Sequence, residues 1–275
     1  MTFAEAFLAD VLRVVPSRPA RPKRVQRAPR FPRRVEDRYR KALEALARSV
    51  SGEVADALRP VLARARAEEA GERQDAVDIG DAQSAIAQVR IAILRRISDR
   101  RIITLLEALS RDLSDANALD LAEVLGISIR DEPASIATLL ETWRTENVRL
   151  IKSIAEDLLG EVQEIVTESV TRGTRVETLA KQIQRRFEVS RSRARLIARD
   201  QVAKANSQLT KIRHEAAGVS RYRWSSSQDE RVRDSHRRLN RTVHAWSDPP
   251  LVDGRRVHPG EDYQCRCVAI PVLDD

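Results

Sequence analysis

Ser135–Val170 reads SIATLLETWRTENVRLIKSIAEDLLGEVQEIVTESV. Within it Ile136, Leu139, Leu140, Trp143, Val148, Leu150, Ile151, Ile154, Leu158, Leu159, Val162 and Ile165 recur at helical steps, so they share one side of an α-helix. The spacing predicts the longest helix of the chain, well beyond the usual length of about 11–12 residues. Its leucine and Trp143 stripe is a core face rather than a cofactor box. Long helices with few aromatic residues pack as an elongated bundle, and only 4% of this chain is aromatic.

On the amino-terminal side the same period continues. Leu43, Leu46, Val50, Val54, Leu58, Val61 and Leu62 mark a helical run from Arg33, which Gly52 and Pro60 are expected to break or kink. Gly71–Gly80 is polar and reads as a loop. Ile86, Val89, Ile93, Leu94, Ile97, Leu105, Leu106 and Leu109 predict one further long helix, and Ala118–Leu125 a short one stopped by Gly126. Ahead of these, residues 2–15 form a short amphipathic pattern through Phe3, Phe7, Leu8, Val11 and Leu12. Five prolines follow between Pro16 and Pro32, interleaved with Arg18, Arg21, Lys23, Arg24, Arg27 and Arg30 and with no acidic residue. Proline fixes φ and removes a backbone donor, so this stretch is an extended basic arm. An arm of this charge can lie on phosphates or on an acidic partner.

On the carboxy-terminal side, Thr174 and Glu177 have the spacing of a capping box, opening a helix through Phe187. Ser190 is expected to cap a separate helix, Arg191–Ala217, ended by Gly218. Its Arg193, Arg195 and Arg199, with Arg185 and Arg186 before them, form a basic stripe. It can follow a nucleic-acid backbone or an acidic partner rim, but without aromatic stacking platforms any DNA contact would be sequence-independent. Beyond Gly218 the pattern changes. Arg221–Ser225 alternates as a strand, Ser227–Glu230 resembles a second capping box leading a short helix to Leu239, and Cys267–Val272 reads as a closing strand. The expected organisation is therefore a mainly α chain, with an elongated bundle of long helices followed by a small carboxy-terminal α+β module. Its parts are 1–32 (helix and basic arm), 33–130 (helical region), 131–218 (long helices) and 219–275 (the module).

Composition bounds the function. The 275 residues carry a net charge of +8, which favours polyanionic partners. No apolar run reaches the roughly 20 residues of a membrane span, and no membrane partner is expected. Two cysteines, two residues apart, make no disulfide framework, so a reducing compartment is expected. No phosphate-binding loop, Gly-x-Gly-x-x-Gly, Gly-x-Ser-x-Gly or His-Glu-x-x-His motif occurs.

All four histidines (214, 236, 244, 258) and both cysteines (265, 267) fall after residue 213. This clustering has two readings. Cys-x-Cys in a turn can chelate zinc, with His236 and His258 completing a tetrahedral set, and a structural zinc would help a small module fold. Alternatively the cysteines are small buried residues and His236 is held by Asp229 or Asp262. His236, Asn240 and His244 echo the order of His-Asn-His nucleases, but their separation is too short for that frame. A Cys–His nucleophile pair would lack an evident oxyanion hole.

Arg193-Ala194-Arg195-Leu196-Ile197-Ala198-Arg199-Asp200-Gln201, Gly218-Val219, Trp224, Asp229-Glu230-Arg231-Val232-Arg233, His236, His258-Pro259-Gly260, Cys265-Arg266-Cys267 and Pro271 follow one another in this order. The ordered set resembles the phage Mu protein F-like minor head, or head morphogenesis, family over roughly residues 145–272. The resemblance implies a non-enzymatic component of the virion head interior that associates with the portal protein and with capsid or scaffold subunits, and is made in the bacterial cytoplasm. It marks Trp224, Asp229, Arg233, His236, Cys265 and Cys267 as module-defining. The basic balance adds double-stranded DNA, bound without sequence preference, as a partner. The competing readings are a metal-dependent hydrolase or nuclease with a His/Cys site, and a sequence-independent DNA-binding protein outside any virion.

Overall fold

The computed structural model describes residues 25, 27–70, 78–96, 99–127 and 132–273. The amphipathic pattern at 2–15 and Arg21, Lys23 and Arg24 of the arm lie outside them. Five long helices form the bundle: α1 (Arg33–Ala70), α2 (Ile79–Arg96), α3 (Asp99–Leu125), α4 (Ala134–Thr171) and α5 (Val176–Ala216). The module adds β1 (Arg221–Ser225), the short α6 (Asp234–Arg238), β2 (Val243–Ala245), β3 (Leu251–Val252), β4 (Arg255–Arg256) and β5 (Val268–Val272). No described helix is long and apolar enough to cross a membrane.

The bundle has two cores in series. One gathers Tyr39, Leu43, Leu106, Leu109, Trp143 and Val202 from α1, α3, α4 and α5. The other gathers Val54, Leu58, Val89, Leu158, Val162 and Ile183 from α1, α2, α4 and α5. Helices α1, α4 and α5 run through both, while α2 and α3 take the fourth place in turn. The apolar run between Ile86 and Leu109, expected as one helix, is therefore divided between α2 and α3, because its two halves serve different cores.

Two expected interruptions do not occur in α1. Val35, Tyr39, Leu43, Ala47, Val50, Val54, Leu58, Val61 and Ala65 are all buried and keep one phase past Gly52 and Pro60. Pro60 lies on the exposed face, where water can serve the carbonyl that lost its amide partner. Gly80, expected in a loop, lies inside α2. The longest helix is α5, with 41 residues, rather than α4 with 38.

Helix α5 also overturns two expected caps. Its N-cap is Arg175, with no side-chain cap bond, so Thr174 does not close a capping box. Ser190 is mid-helix and buried, and its hydroxyl finds no hydrogen-bond partner among the described residues. It continues the inward row Val176, Leu179, Ile183, Ala194 and Ala198. Packing of that row overrides a residue whose local preference is to start a helix.

A polar knot ties α1, α4 and α5 together. Tyr39 donates its hydroxyl to Asn147 Oδ1 (2.7 Å), and Asn147 Nδ2 donates to Gln201 Oε1 (3.1 Å) and to the Trp143 carbonyl (2.8 Å). The Trp143 indole N–H donates to the Gln201 carbonyl at 3.1 Å. Asn147 is fully buried, so each of these bonds satisfies a group that water cannot reach.

Gly218, at φ 77°, ends α5 and turns the chain into the module. Strand β1 is the centre of an antiparallel sheet of order β2-β1-β5. Tyr222 and Trp224 point inward from it, as the alternation predicts. Strands β3 and β4 form a hairpin around Asp253-Gly254, whose φ values of 47° and 82° suit a tight turn. Val219 joins Leu121 and Leu125 of α3 in a small core, so the module is docked on the bundle end.

Candidate metal centre

Three segments converge on one point in the module. Helix α6 supplies His236, although its N-cap is Arg233 rather than the expected Ser227. The turn after His258 supplies Cys265. Cys267 stands immediately before β5, whose register pairs Val268 with Ser225 of β1.

This turn is held by α5. Gln264 adopts φ 53°, a conformation costly for a non-glycine residue. Its backbone N–H donates to Asp200 Oδ1 (2.9 Å) and its side-chain amide to the Leu196 carbonyl (2.6 Å). Gly260 has φ 93°, and a Cβ there would stand 3.0 Å from Ser207 Cβ and 3.3 Å from the Ala203 carbonyl. Ser207 donates to the Pro259 carbonyl at 2.6 Å.

The His236 ring is the hub. Its Nδ1 lies 3.4 Å from Cys265 Sγ and 3.5 Å from Cys267 Sγ, and its Nε2 lies 3.2 Å from Asp262 Oδ2. The ligand atoms of His236, Cys265 and Cys267 lie within 4.8 Å of one another. His236 and Cys265 are each 2% exposed and Cys267 is 5% exposed. Trp224 packs edge-on against the His236 ring, with centroids 5.5 Å apart.

The electrostatics follow from these contacts. Cys265 Sγ faces the Cys267 thiol and His236, and these hold its thiol well below the usual cysteine range. As the donor to Cys265, and under the same burial, Cys267 is pushed up. The imidazole of His236 is raised, first by its bond to Cys265 and against the cost of burial. Asp262 is lowered despite its burial, by the Tyr263 backbone N–H, Arg233 and His236. Arg233 Nη1 lies 2.8 Å from Asp262 Oδ2, and Arg255 pairs with Oδ1.

Of the two acidic partners considered for His236, Asp262 is the one it meets. Asp229 pairs instead with Arg266 and accepts the Arg231 backbone N–H at 3.1 Å. His258 is not part of the His236 cluster, which corrects the expected four-residue set. Its Nδ1 lies 3.0 Å from the Tyr222 hydroxyl, and its ring packs on Trp246 with centroids 4.8 Å apart. His258 lies beyond β4 and faces the aromatic side of the sheet, a placement that sequence spacing does not reveal. Burial lowers it to about 4. His244 bonds Thr242 Oγ1 at 2.7 Å, so no His-Asn-His arrangement forms.

The cluster can act in two ways. Cys265, His236 and Asp262 stand in line as a nucleophile, base and orienting acid would. Against that use, Cys265 Sγ is closed off from substrate and accepts backbone N–H bonds from Gly260 (3.3 Å) and Cys267 (3.4 Å). A second sulfur on the same imidazole nitrogen adds nothing to a nucleophile, but completes part of a metal shell.

Among the described residues, Arg27, Arg193 and Arg195 of the basic residues expected to contact partners are engaged within the chain. Arg27 reaches Asp120 and Glu123 of α3, each at 2.6 Å, so this part of the arm lies on the protein's own acidic surface. Arg30 is exposed, and its backbone N–H donates to Asp120 Oδ2 at 3.0 Å. Arg193 pairs with Asp157, and Arg195 lies 3.6 Å from Glu44. Arg199 is partly buried, and burial together with Arg266 and Arg231 lowers it, against Glu36 and Asp229.

Residues 160–270 match the family described as Phage Mu protein F like protein, less than half of the chain. This agrees with the resemblance carried by the ordered motifs, over slightly narrower bounds. A Haemophilus influenzae protein described as uncharacterized is 39% identical over 166 residues, which make up 60% of this chain and 35% of that relative's own length. No solved structure matches the chain.

Proposed function

We infer that this chain, with its phage Mu F-like segment at residues 160–270, is a minor head component that acts by binding other head proteins rather than by turnover. The carrying observation is the extent of the family match. It takes in the second part of α4, all of α5 and the module as far as β5, so it covers one docked structural unit rather than an isolated motif. The burial of His236, Cys265 and Cys267 supports an architectural use of the module. The portal protein and capsid or scaffold subunits are the proposed partners, and the head interior the proposed location. The net charge of +8 favours a place beside packaged DNA, held without sequence preference.

The test is to tag the chain in a phage that encodes it, separate heads from free protein by density gradient, and crosslink the head fraction. The expected result is co-sedimentation with heads and crosslinks to the portal. A chain that stays in the soluble fraction throughout infection would overturn the reading. DNA binding is tested separately by titrating a duplex of arbitrary sequence at rising salt. The proposed contact predicts affinity that falls steeply with salt and is indifferent to sequence.

A further inference from the structure

We propose that His236, Cys265 and Cys267 bind one zinc ion, that Asp262 orients the histidine ligand, and that the ion locks the module rather than catalysing a reaction. This stands apart from the head role and would hold whatever the chain assembles with.

The distances carry the proposal. Tetrahedral zinc, with bonds of about 2.3 Å to sulfur and 2.0–2.1 Å to nitrogen, separates a sulfur from a nitrogen ligand by roughly 3.5 Å. Cys265 Sγ and Cys267 Sγ lie 3.4 and 3.5 Å from the same His236 nitrogen. Two thiolates and an imidazole are a soft to borderline donor set, which suits zinc and disfavours calcium or magnesium.

The surroundings match the ligands. A zinc-bound histidine usually gives its other ring nitrogen to a carboxylate, and His236 Nε2 faces Asp262. Asp262 is itself fixed by Arg233 and Arg255. Backbone N–H groups of Gly260 and Cys267 point at Cys265 Sγ, as donors to a thiolate would.

Three protein ligands leave one vertex for a small group. The two cysteines also line a cavity of about 20 Å³ together with Asn117, Ser207 and Gly260, which is room for a single water. With His236, Cys265 and Cys267 all 2–5% exposed, a phosphodiester or peptide has no approach. The ion instead joins α6, the Gly260–Cys265 turn and the start of β5, three segments separated in the chain.

The experiment is elemental analysis of the full chain, purified after expression in zinc-supplemented medium, with the free thiols counted in parallel. About one zinc per chain, with both thiols protected until chelation, is the expected result. Zinc far below stoichiometry in folded protein, with two reactive thiols or a Cys265–Cys267 disulfide, overturns the proposal. Two further measurements guard against a variant that fails to fold. Cobalt added to chelator-treated wild type should give a thiolate-to-metal charge-transfer band, and its absence counts against the site. Asp262→Asn keeps all three ligands and should weaken zinc binding 10–100-fold, and unchanged affinity removes Asp262 from its orienting role.

Discussion

Arg213 Nη1 on α5 donates to Asn117 Oδ1 on α3 across 2.6 Å, with both side chains buried. Nη2 of the same guanidinium donates to Ser114 Oγ at 2.7 Å and pairs with Glu132. One side chain thus satisfies three partners at the end of the bundle that carries the module. Arg213→Ala orphans Asn117 Oδ1 and leaves a cavity. It should cost about 2–3 kcal/mol in urea unfolding followed by circular dichroism. A loss below about 0.5 kcal/mol would show that the network adds little.

The knot at Asn147 predicts strong coupling. Asn147→Leu strands the Tyr39 hydroxyl in a buried site, and the single change should cost about 2–3 kcal/mol. Pairing it with Tyr39→Phe removes the stranded hydroxyl, while Gln201 Oε1 still lacks its donor. The double variant should be clearly more stable than the sum of the two losses, and simple additivity in a double-mutant cycle would contradict the knot.

Acid should loosen the molecule through His214. The ring is fully buried against Trp246, with centroids 5.4 Å apart, and neither ring nitrogen has a hydrogen-bond partner among the described residues. Burial holds its pKa at about 3, against 6.5 for an exposed histidine. Between those values the unfolded chain binds a proton that the folded chain refuses. Stability is therefore full above about pH 6.5 and falls as pH drops toward 3, by on the order of 5 kcal/mol. His258, at about 4, acts with the same sign. His214→Phe should flatten the acid limb of a stability–pH curve without loss at pH 7.5. An unchanged slope would place the acid sensitivity elsewhere.

Gly260→Ala tests how tightly the module is docked. The residue is at φ 93° and a Cβ would press on Ser207 and the Ala203 carbonyl. Strain and displacement together should cost about 2 kcal/mol. They should also speed proteolysis of 258–267 while the far end of the bundle, around Val162, keeps its hydrogen-exchange protection. Loss of protection at both ends would mean that the two halves unfold as one.

Periodicity revealed the helices because burial here follows one unbroken stripe per helix, as in the row from Val35 to Ala65 of α1. It also placed β1, whose Tyr222 and Trp224 are the inward residues. Local signals misled where packing outvoted them. Pro60 and Gly52 fall on the exposed side of α1, and Ser190 continues the inward row of α5. At the site, the joint placement of His236, Cys265 and Cys267 was legible from residue type and clustering. His258 shares that clustering but not the site, since proximity in sequence does not say which face of a small sheet a side chain reaches. The partners of Arg27 could not be read locally either, since Asp120 and Glu123 lie 93 and 96 residues further on.

The unbroken α5 has a mechanical consequence. At about 1.5 Å per residue, its 41 residues make a rod of roughly 60 Å. Leu179 and Ile183 at one end are clamped in the second core, while Asp200, Ser207 and His214 toward the other end hold the module. A proline or a glycine pair near Ser190 would add a joint and let the two ends swing independently. The native column works as a ruler, holding the second core and the module a fixed distance apart.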